Sequence, residues 1–261
     1  SLDCGGPVGR SVADVATLLQ AMVGYEPAYQ YSVNRGAEDF SRDLGKGVRG
    51  LKLGIIENYS YRDVDGDVAK AVEEATRVLT TLGARVVPVR IPMLAGALEY
   101  SSLFNILLYE FNQILGDEYR ATANKNLFGP IVQENIARGE KVSRAFYERS
   151  LSERARQQSE FREVFRQVDA LITPTMPTVA PLLKTSGDTY DRGRQFTLPF
   201  SWTGVPSISV PCGFDSQGLP IGMQIIGDEI QESLLLRIAA AYESATVFHD
   251  RHPPIFASVS I

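Results

Sequence analysis

The sequence predicts an α/β fold that contains both parallel and antiparallel strands. A strand–helix–strand run between Leu51 and Val89 predicts two parallel strands, because a helical crossover returns the chain in the same direction. A strand–turn–strand run between Ser207 and Ile226 predicts an antiparallel pair. Several apolar helical segments separate and follow these units. No repeat, low-complexity tract or linker divides the chain, so we expect one unit over residues 1–261.

The first predicted element is a helix that ends near Val23, with Gly24 as its stop. Ser11 and Asp14 form a capping-box pattern, in which each side chain accepts a hydrogen bond from the other residue's backbone N–H. Arg10 and Asp14 lie one turn apart and predict an ion pair on the helix surface. The polar, glycine-bearing residues 25–50 predict a loop.

The parallel unit consists of a short apolar strand, a helix and a second strand. We expect the strands at Leu51–Ile56 and Arg85–Val89, with the helix from Val68 to Leu82 closed by Gly83.

Helices dominate the middle of the chain. The apolar spacing predicts four of them, the last strongly amphipathic, at Leu94–Gly116, Gly116–Lys125, Pro130–Arg138 and Ser143–Gln167. Residues Asp169–Thr173 then predict a strand that runs into a rigid extended loop, because the prolines that follow cannot donate ladder hydrogen bonds.

The C-terminal part predicts a hairpin and a last helix. Strands at Ser207–Cys212 and Ile221–Ile226 flank a turn in which Gly218 can take a positive φ. The last helix is expected from Glu232 to Ala245. The polar segment Lys184–Gln195 is predicted to be mobile.

Composition excludes several classes of function. The chain has 261 residues, 44% of them hydrophobic, which is enough for a large core. A net charge of −5 argues against nucleic-acid binding, which needs clustered Lys and Arg. No apolar run approaches the ~20 residues of a membrane-spanning helix.

Cysteine and histidine usage gives no sign of a metal site or a histidine-based triad. The two cysteines, Cys4 and Cys212, have neither metal nor disulfide spacing, so we expect two buried small hydrophobes in a reducing cytoplasm. The two histidines, His249 and His252, lie near the C-terminus.

Local motifs place no catalytic residue within this chain. Gly45–Gly50 matches the pattern GxGxxG, but it precedes a predicted strand, whereas a dinucleotide site needs it between a strand and a helix. Gly-x-Ser-x-Gly and Ser-x-x-Lys do not occur. Trp202 lies in a Gly/Pro-rich stretch, where core packing and a place in a pocket wall both stay open.

Three widely spaced stretches together resemble the signature of one enzyme family. Residues 1–14 read SLDCGGPVGRSVAD, residues 169–181 read DALITPTMPTVAP, and residues 197–227 read TLPFSWTGVPSISVPCGFDSQGLPIGMQIIG. They are similar to segments of the amidase signature family, whose members are serine hydrolases with a Ser–cis-Ser–Lys triad. Gly9 stands where that family usually has Ala. Tyr147 and Arg154 fit the family's YxxAxxxR helix.

The resemblance implies the C-terminal portion of an amidase, an α/β fold in which helices cover both faces of a mixed β-sheet. The family's triad and oxyanion loop precede the SLD segment, so we expect them upstream of Ser1, with none of the triad in residues 1–261. The implied reaction is hydrolysis of a carboxamide C–N bond through an acyl-serine, without metal or organic cofactor. The expected partners are a small-molecule amide and the N-terminal portion of the same protein. Neither nucleic acid nor membrane is expected, and a homodimer stays open.

The resemblance also implies a substrate-pocket wall in the stretch that enters the third segment. Its candidate substrate-binding residues are Arg194, Thr197, Phe200, Ser201 and Trp202. The amidase-like subunit of the glutamine-dependent tRNA amidotransferase carries an acid where Arg194 stands, and Arg194 would repel a substrate ammonium group. A stand-alone amidase is therefore favoured. The amidotransferase subunit is the first alternative, and a non-catalytic relic or binding module is the second.

Overall fold

The computed structural model describes residues 1–36, 38–95, 101–182 and 192–252. Its five strands are β1 (Lys52–Ile56), β2 (Arg85–Val89), β3 (Ala170–Pro174), β4 (Ser207–Phe214) and β5 (Pro220–Ile226). The α-helices of these residues are α1 (Val12–Met22), α2 (Gly66–Thr81), α3 (Ser101–Ala121), α4 (Pro130–Gly139), α5 (Arg144–Arg162), α6 (Leu198–Thr203) and α7 (Glu232–Ser244).

The strands form one mixed sheet in the order β2-β1-β3-β5-β4. β1 is parallel to both β2 and β3, whereas β5 is antiparallel to both β3 and β4. The parallel strands β1 and β2 come from the predicted strand–helix–strand unit, and the antiparallel pair is the predicted hairpin. The mixed α/β fold is therefore confirmed.

Helices cover both faces of this sheet. On one face, α2 and α7 pack on strand residues such as Ile172 and Ile225, and α1 packs on α7. On the other face, Phe161 of α5 and Phe200 of α6 pack on Leu171 and Ile226. A third cluster, Leu103, Ile106 and Trp202, joins α3 to α6 outside this second layer. The outer helix α3 therefore packs on α5 and α6 rather than on the sheet.

The predicted capping box of α1 is present, but the predicted ion pair beside it is wrong. Ser11 Oγ accepts from Asp14 N at 3.1 Å, and Asp14 Oδ2 accepts from Ser11 N at 3.0 Å. Because the Asp14 carboxylate caps the helix, Arg10 turns elsewhere and donates to the carbonyl oxygen of His249 at 2.6 Å.

The middle of the chain has fewer helix breaks than predicted. α3 runs without a break through Gly116 to Ala121. The guanidinium of Arg120 donates to Asn112 Oδ1 at 3.1 Å, and this hydrogen bond passes over Gly116. The predicted start of this helix lies partly in residues 96–100, outside the described residues. α5 ends at Arg162 and continues as a 3₁₀ turn, Glu163–Arg166. Of its residues only Ser150 and Phe161 are buried, so α5 is less amphipathic than expected.

The β4–β5 hairpin turns as predicted. Gly218 has φ +82°, and Asp215 Oδ1 accepts from the N–H groups of Gln217 and Leu219 at 2.9 and 2.7 Å. Of the segment predicted to be mobile, residues 184–191 lie outside the described part of the chain.

The two cysteines differ in exposure. Cys212 is buried in the core, as predicted, but Cys4 is exposed, so that prediction is wrong for Cys4. Among the described residues, no helix has the length and apolar character that crossing a bilayer requires.

Candidate functional site

The predicted pocket wall contains a short helix that the sequence did not reveal. α6 spans Leu198–Thr203 and has Pro199 in its first turn, where a proline needs no hydrogen bond from its nitrogen. Gly204 ends it at φ +75°, and its N–H donates to Phe200 O at 2.8 Å. Six residues are too few for a stable isolated helix, so tertiary contacts must hold α6.

The start of α6 is fastened to the carboxyl ends of the parallel strands. Gln224 of β5, 4% exposed, donates from Nε2 to Phe196 O at 2.7 Å and to Thr173 Oγ1 at 3.2 Å. The Tyr59 hydroxyl, from the loop after β1, donates to Gln195 O. Ligands of α/β sheets usually bind outside the carboxyl ends of the strands, so the predicted wall lies where a ligand is expected.

The end of α6 is held by one stripe of α5. Arg154 Nε donates to Trp202 O at 2.8 Å, and Gln158 Nε2 donates to Thr203 O at 3.1 Å. Trp202 Nε1 in turn donates to Gln157 Oε1 at 2.6 Å. Arg154 and Gln158 satisfy carbonyl groups that a helix leaves unpaired at its C-terminus. Sequence reasoning missed both glutamines, since polar residues on a helix usually indicate a solvated face.

Arg154 also joins the first and third of the family-like stretches. Its guanidinium donates to Ser1 O at 3.0 Å and to Ser1 Oγ at 3.1 Å, from the first stretch, while it holds Trp202 of the third. Glu110 of α3 lies beside them, with Oε2 2.8 Å from Ser1 N and Oε1 accepting from the Tyr147 hydroxyl at 3.0 Å. The N-terminal segment, α3, α5 and α6 therefore meet at one polar cluster.

Burial and neighbouring charges shift the pKa values of this cluster. Burial lowers the pKa of Arg154 from its ordinary value, although Glu110 opposes the change. Burial, followed by the hydrogen bond to Glu110, raises the pKa of Tyr147 to about 12. For Glu110, burial acts to raise the pKa, but in the 261-residue chain hydrogen bonds from the amino group and hydroxyl of Ser1 and from Tyr147 outweigh it, and the pKa is lowered. Glu110 and Arg154 therefore hold opposite charges across the cluster at neutral pH.

The structure separates the five predicted wall residues into two groups. Arg194 and Ser201 are exposed and Thr197 is half-buried, so these three reach the solvent. Phe200 is 2% exposed and lies edge-on to Phe161, with ring centroids 5.9 Å apart. Trp202 is 5% exposed and packs in the third cluster.

Most of this chain matches the model of one protein family. A family model described as Amidase matches residues 1–236. The chain belongs to the amidase family. The amidase signature resemblance, which the three stretches carry, is therefore confirmed.

Individual relatives of this amidase-family chain carry two different names. It is 35% identical over 278 residues to a subunit of the glutamyl-tRNA(Gln) amidotransferase of Microcystis aeruginosa, covering 97% of this chain and 57% of the relative. It is 32% identical over 267 residues to "Amidase" of Pseudomonas putida, covering 99% of this chain and 56% of the relative. The chain thus spans just over half the length of the curated relatives it matches.

Solved structures show the same fold. The crystal structure of a bacterial aryl acylamidase of the amidase signature family superposes with a TM-score of 0.79 at 24% identity. The match covers 98% of this chain and 55% of the aryl acylamidase.

The amidase-family sheet carries one further polar feature at its carboxyl edge. The hydroxyls of Thr175, just after β3, and Ser209 of β4 lie 2.6 Å apart, and Ser209 is exposed. The alternating polar residues on β4 could have indicated an open sheet face, but the pairing with Thr175 could not be seen in the sequence.

The described residues hold no metal-ligand cluster, and an open depression among them lies away from this site. Within the described ranges, no three His, Cys, Asp or Glu side chains lie close enough to hold a metal ion. An open depression of about 440 Å³ lies along α5 and its 3₁₀ extension, beside Asp228. Because β5 is antiparallel to β3, Asp228 after β5 marks the amino end of β3. This depression therefore lies at the opposite end of the sheet.

Proposed function

We propose that residues 1–261 form a single C-terminal portion of an amide hydrolase and that its catalytic triad lies upstream of Ser1. In the whole enzyme a serine would attack the amide carbonyl and form an acyl ester, while the amine leaves with a proton. Water would then hydrolyse the ester. A lysine would act as the base through the cis-serine. Membership of the amidase family supports this reaction class.

Residues 194–202 would supply one wall of the substrate pocket. The observation that carries this part is the double anchoring of α6, by Gln224 at its start and by Arg154 at its end. A wall must be held rigidly to orient a substrate. Arg194, Thr197 and Ser201 would contact substrate directly, while Phe200 and Trp202 would support them from behind.

The second candidate is the subunit of a glutamine-dependent tRNA amidotransferase, and the name of the Microcystis relative favours it. Arg194 argues against it, because the exposed guanidinium would repel the ammonium group of free glutamine. The Pseudomonas relative, named amidase, is nearly as similar.

Activity of the whole polypeptide would separate the two candidates. We expect it to release amine from aryl or aliphatic amides without a partner, and the 261-residue chain to release none. Ammonia release from glutamine that needs a partner protein and an aminoacylated tRNA would favour the amidotransferase. Turnover by the 261-residue chain alone would contradict the proposal.

The expected partners follow from the same proposal. They are a small-molecule amide and the amino-terminal part of the same polypeptide, which would join this chain within the cytoplasm.

A further inference from the structure

A row of hydrogen bonds leads from α3 through α5 to the sole tryptophan of the chain. The Ser102 hydroxyl donates to Glu153 Oε2, and Gln157 Nε2 donates to Glu153 Oε1 at 3.3 Å. Trp202 Nε1 then donates to Gln157 Oε1 at 2.6 Å. We call these four residues the Glu153 relay.

The chemistry of the groups fixes the direction of the relay. An ionised carboxylate only accepts hydrogen bonds, and an indole N–H only donates. Glu153 therefore draws the NH₂ group of Gln157 towards itself, and this turns the amide oxygen of Gln157 towards Trp202. The orientation of an amide cannot be assigned from its shape alone, but here both neighbours allow only one.

The Glu153 relay contacts the buried side of α6, and the opposite side of this helix is exposed. Trp202 is 5% exposed, so its N–H would lack water if Gln157 did not accept from it. Ser201, the residue before Trp202, is exposed on the other side of the same short helix. A rotation of α6 that moved Trp202 would move Ser201 and Thr197 with it.

We propose that Gln157, oriented by Glu153, is a positioning residue that sets the orientation of the exposed face of α6. This inference rests on the proposed function for its consequence, which is selectivity for the amide substrate. Gln157 does not reach that face itself, so its loss should change substrate binding more than the chemical step.

Four variants test the proposal. Gln157→Met removes the acceptor and keeps the length of the side chain. Gln157→Glu keeps an acceptor but sets a second carboxylate against Glu153, and the two would repel each other. The double variant Glu153→Gln with Gln157→Glu exchanges the two groups and restores every bond of the relay. Gln113→Met makes the same change as the first variant at an exposed position of α3 and is the control.

The first measurement is independent of activity. In the 261-residue chain, acrylamide quenching of tryptophan fluorescence, excited at a wavelength that tyrosine does not absorb, reports the exposure of Trp202 alone. We expect Gln157→Met and Gln157→Glu each to raise the quenching constant at least about twofold. Gln157→Met leaves a buried donor without a partner, and in Gln157→Glu the repulsion from Glu153 pushes the acceptor away from Trp202. The exchanged double variant should return to the wild-type value, and Gln113→Met should not leave it.

Two outcomes of this measurement would overturn the proposal. One is wild-type quenching in Gln157→Met. The other is an exchanged double variant that quenches like Gln157→Glu. If Gln157→Met does not fold, the comparison of Gln157→Glu with the double variant decides.

The second measurement uses the whole polypeptide and a series of amides of different acyl size. We expect Gln157→Met to raise KM about five- to tenfold with kcat within about twofold, which is the pattern of lost binding rather than lost chemistry. The double variant should recover the wild-type KM. Changed quenching with unchanged KM would overturn the positioning role and leave the function intact. A wild-type enzyme without amide hydrolysis would overturn the function, while the quenching result would still stand.

Discussion

Replacing Arg154 with methionine tests the polar cluster that joins the N-terminal segment to α5 and α6. The change removes three hydrogen bonds of a charged donor, to Trp202 O at 2.8 Å and to Ser1 O and Oγ at 3.0 and 3.1 Å. Bonds to charged groups contribute about 1.5–3 kcal/mol each. Arg154 is half-buried, so water would recover part of this, and methionine would keep the packing of the stem. We therefore expect a loss of about 2–4 kcal/mol.

Thermal unfolding followed by circular dichroism measures this loss. For a chain of this size, 1 kcal/mol corresponds to about 2–4 °C in Tm, so a loss of about 3 kcal/mol should lower Tm by about 6–12 °C. Arg156→Met is the matched control, because Arg156 lies on the same helix and, among the described residues, makes only an exposed ion pair with Glu160. That pair contributes about 0.3–0.5 kcal/mol, and Tm should fall by no more than about 2 °C. Equal Tm values for the two variants would refute the cluster's role.

Three further predictions concern single groups. At about pH 8, iodoacetamide should modify the exposed Cys4 in the folded chain but Cys212 only after unfolding. The reason is that burial shields the Cys212 thiol and raises its pKa to about 12. Mass spectrometry of the peptides measures which cysteine is modified. In the 261-residue chain, Glu110→Gln should lower the free energy of unfolding at neutral pH, because the Ser1 amino group and its neighbours lower the pKa of Glu110 from its ordinary value of 4.5. The difference from wild type should vanish as the pH falls below 4.5. Urea unfolding at several pH values measures it, and a pH-independent difference would contradict it. Gly204→Ala should destabilise the folded chain by about 1 kcal/mol or more, because Gly204 has φ +75°. Urea unfolding measures this, with Gly24→Ala as the control, since a Cβ at Gly24 would meet open space.

The sequence predicted elements whose signals are local. The capping box of α1, the crossover between β1 and β2 and the turn at Gly218 each depend on short stretches of the chain. α6 was missed because its stability comes from α5, which lies far away along the chain, and from Gln224. Likewise, the partner of Arg10 lies at His249, near the other end of the chain.

The candidate site was predicted only as a segment. The resemblance located residues 194–202, but it gave no sign that Phe200 and Trp202 face inward while Ser201 faces outward. Glu153 and Gln157 lie one helical turn apart, and this spacing could have indicated a pair. Their link to Trp202 depends on the packing of α5 against α6, which no local pattern encodes.

The central proposal is that this chain supports a reaction whose nucleophile it does not contain. Treatment with a fluorophosphonate serine probe, followed by peptide mapping, tests this most directly. We expect the 261-residue chain to carry no adduct, and the whole active polypeptide to carry one at a serine outside residues 1–261. An adduct at a serine within those residues that abolishes amide hydrolysis would contradict the account.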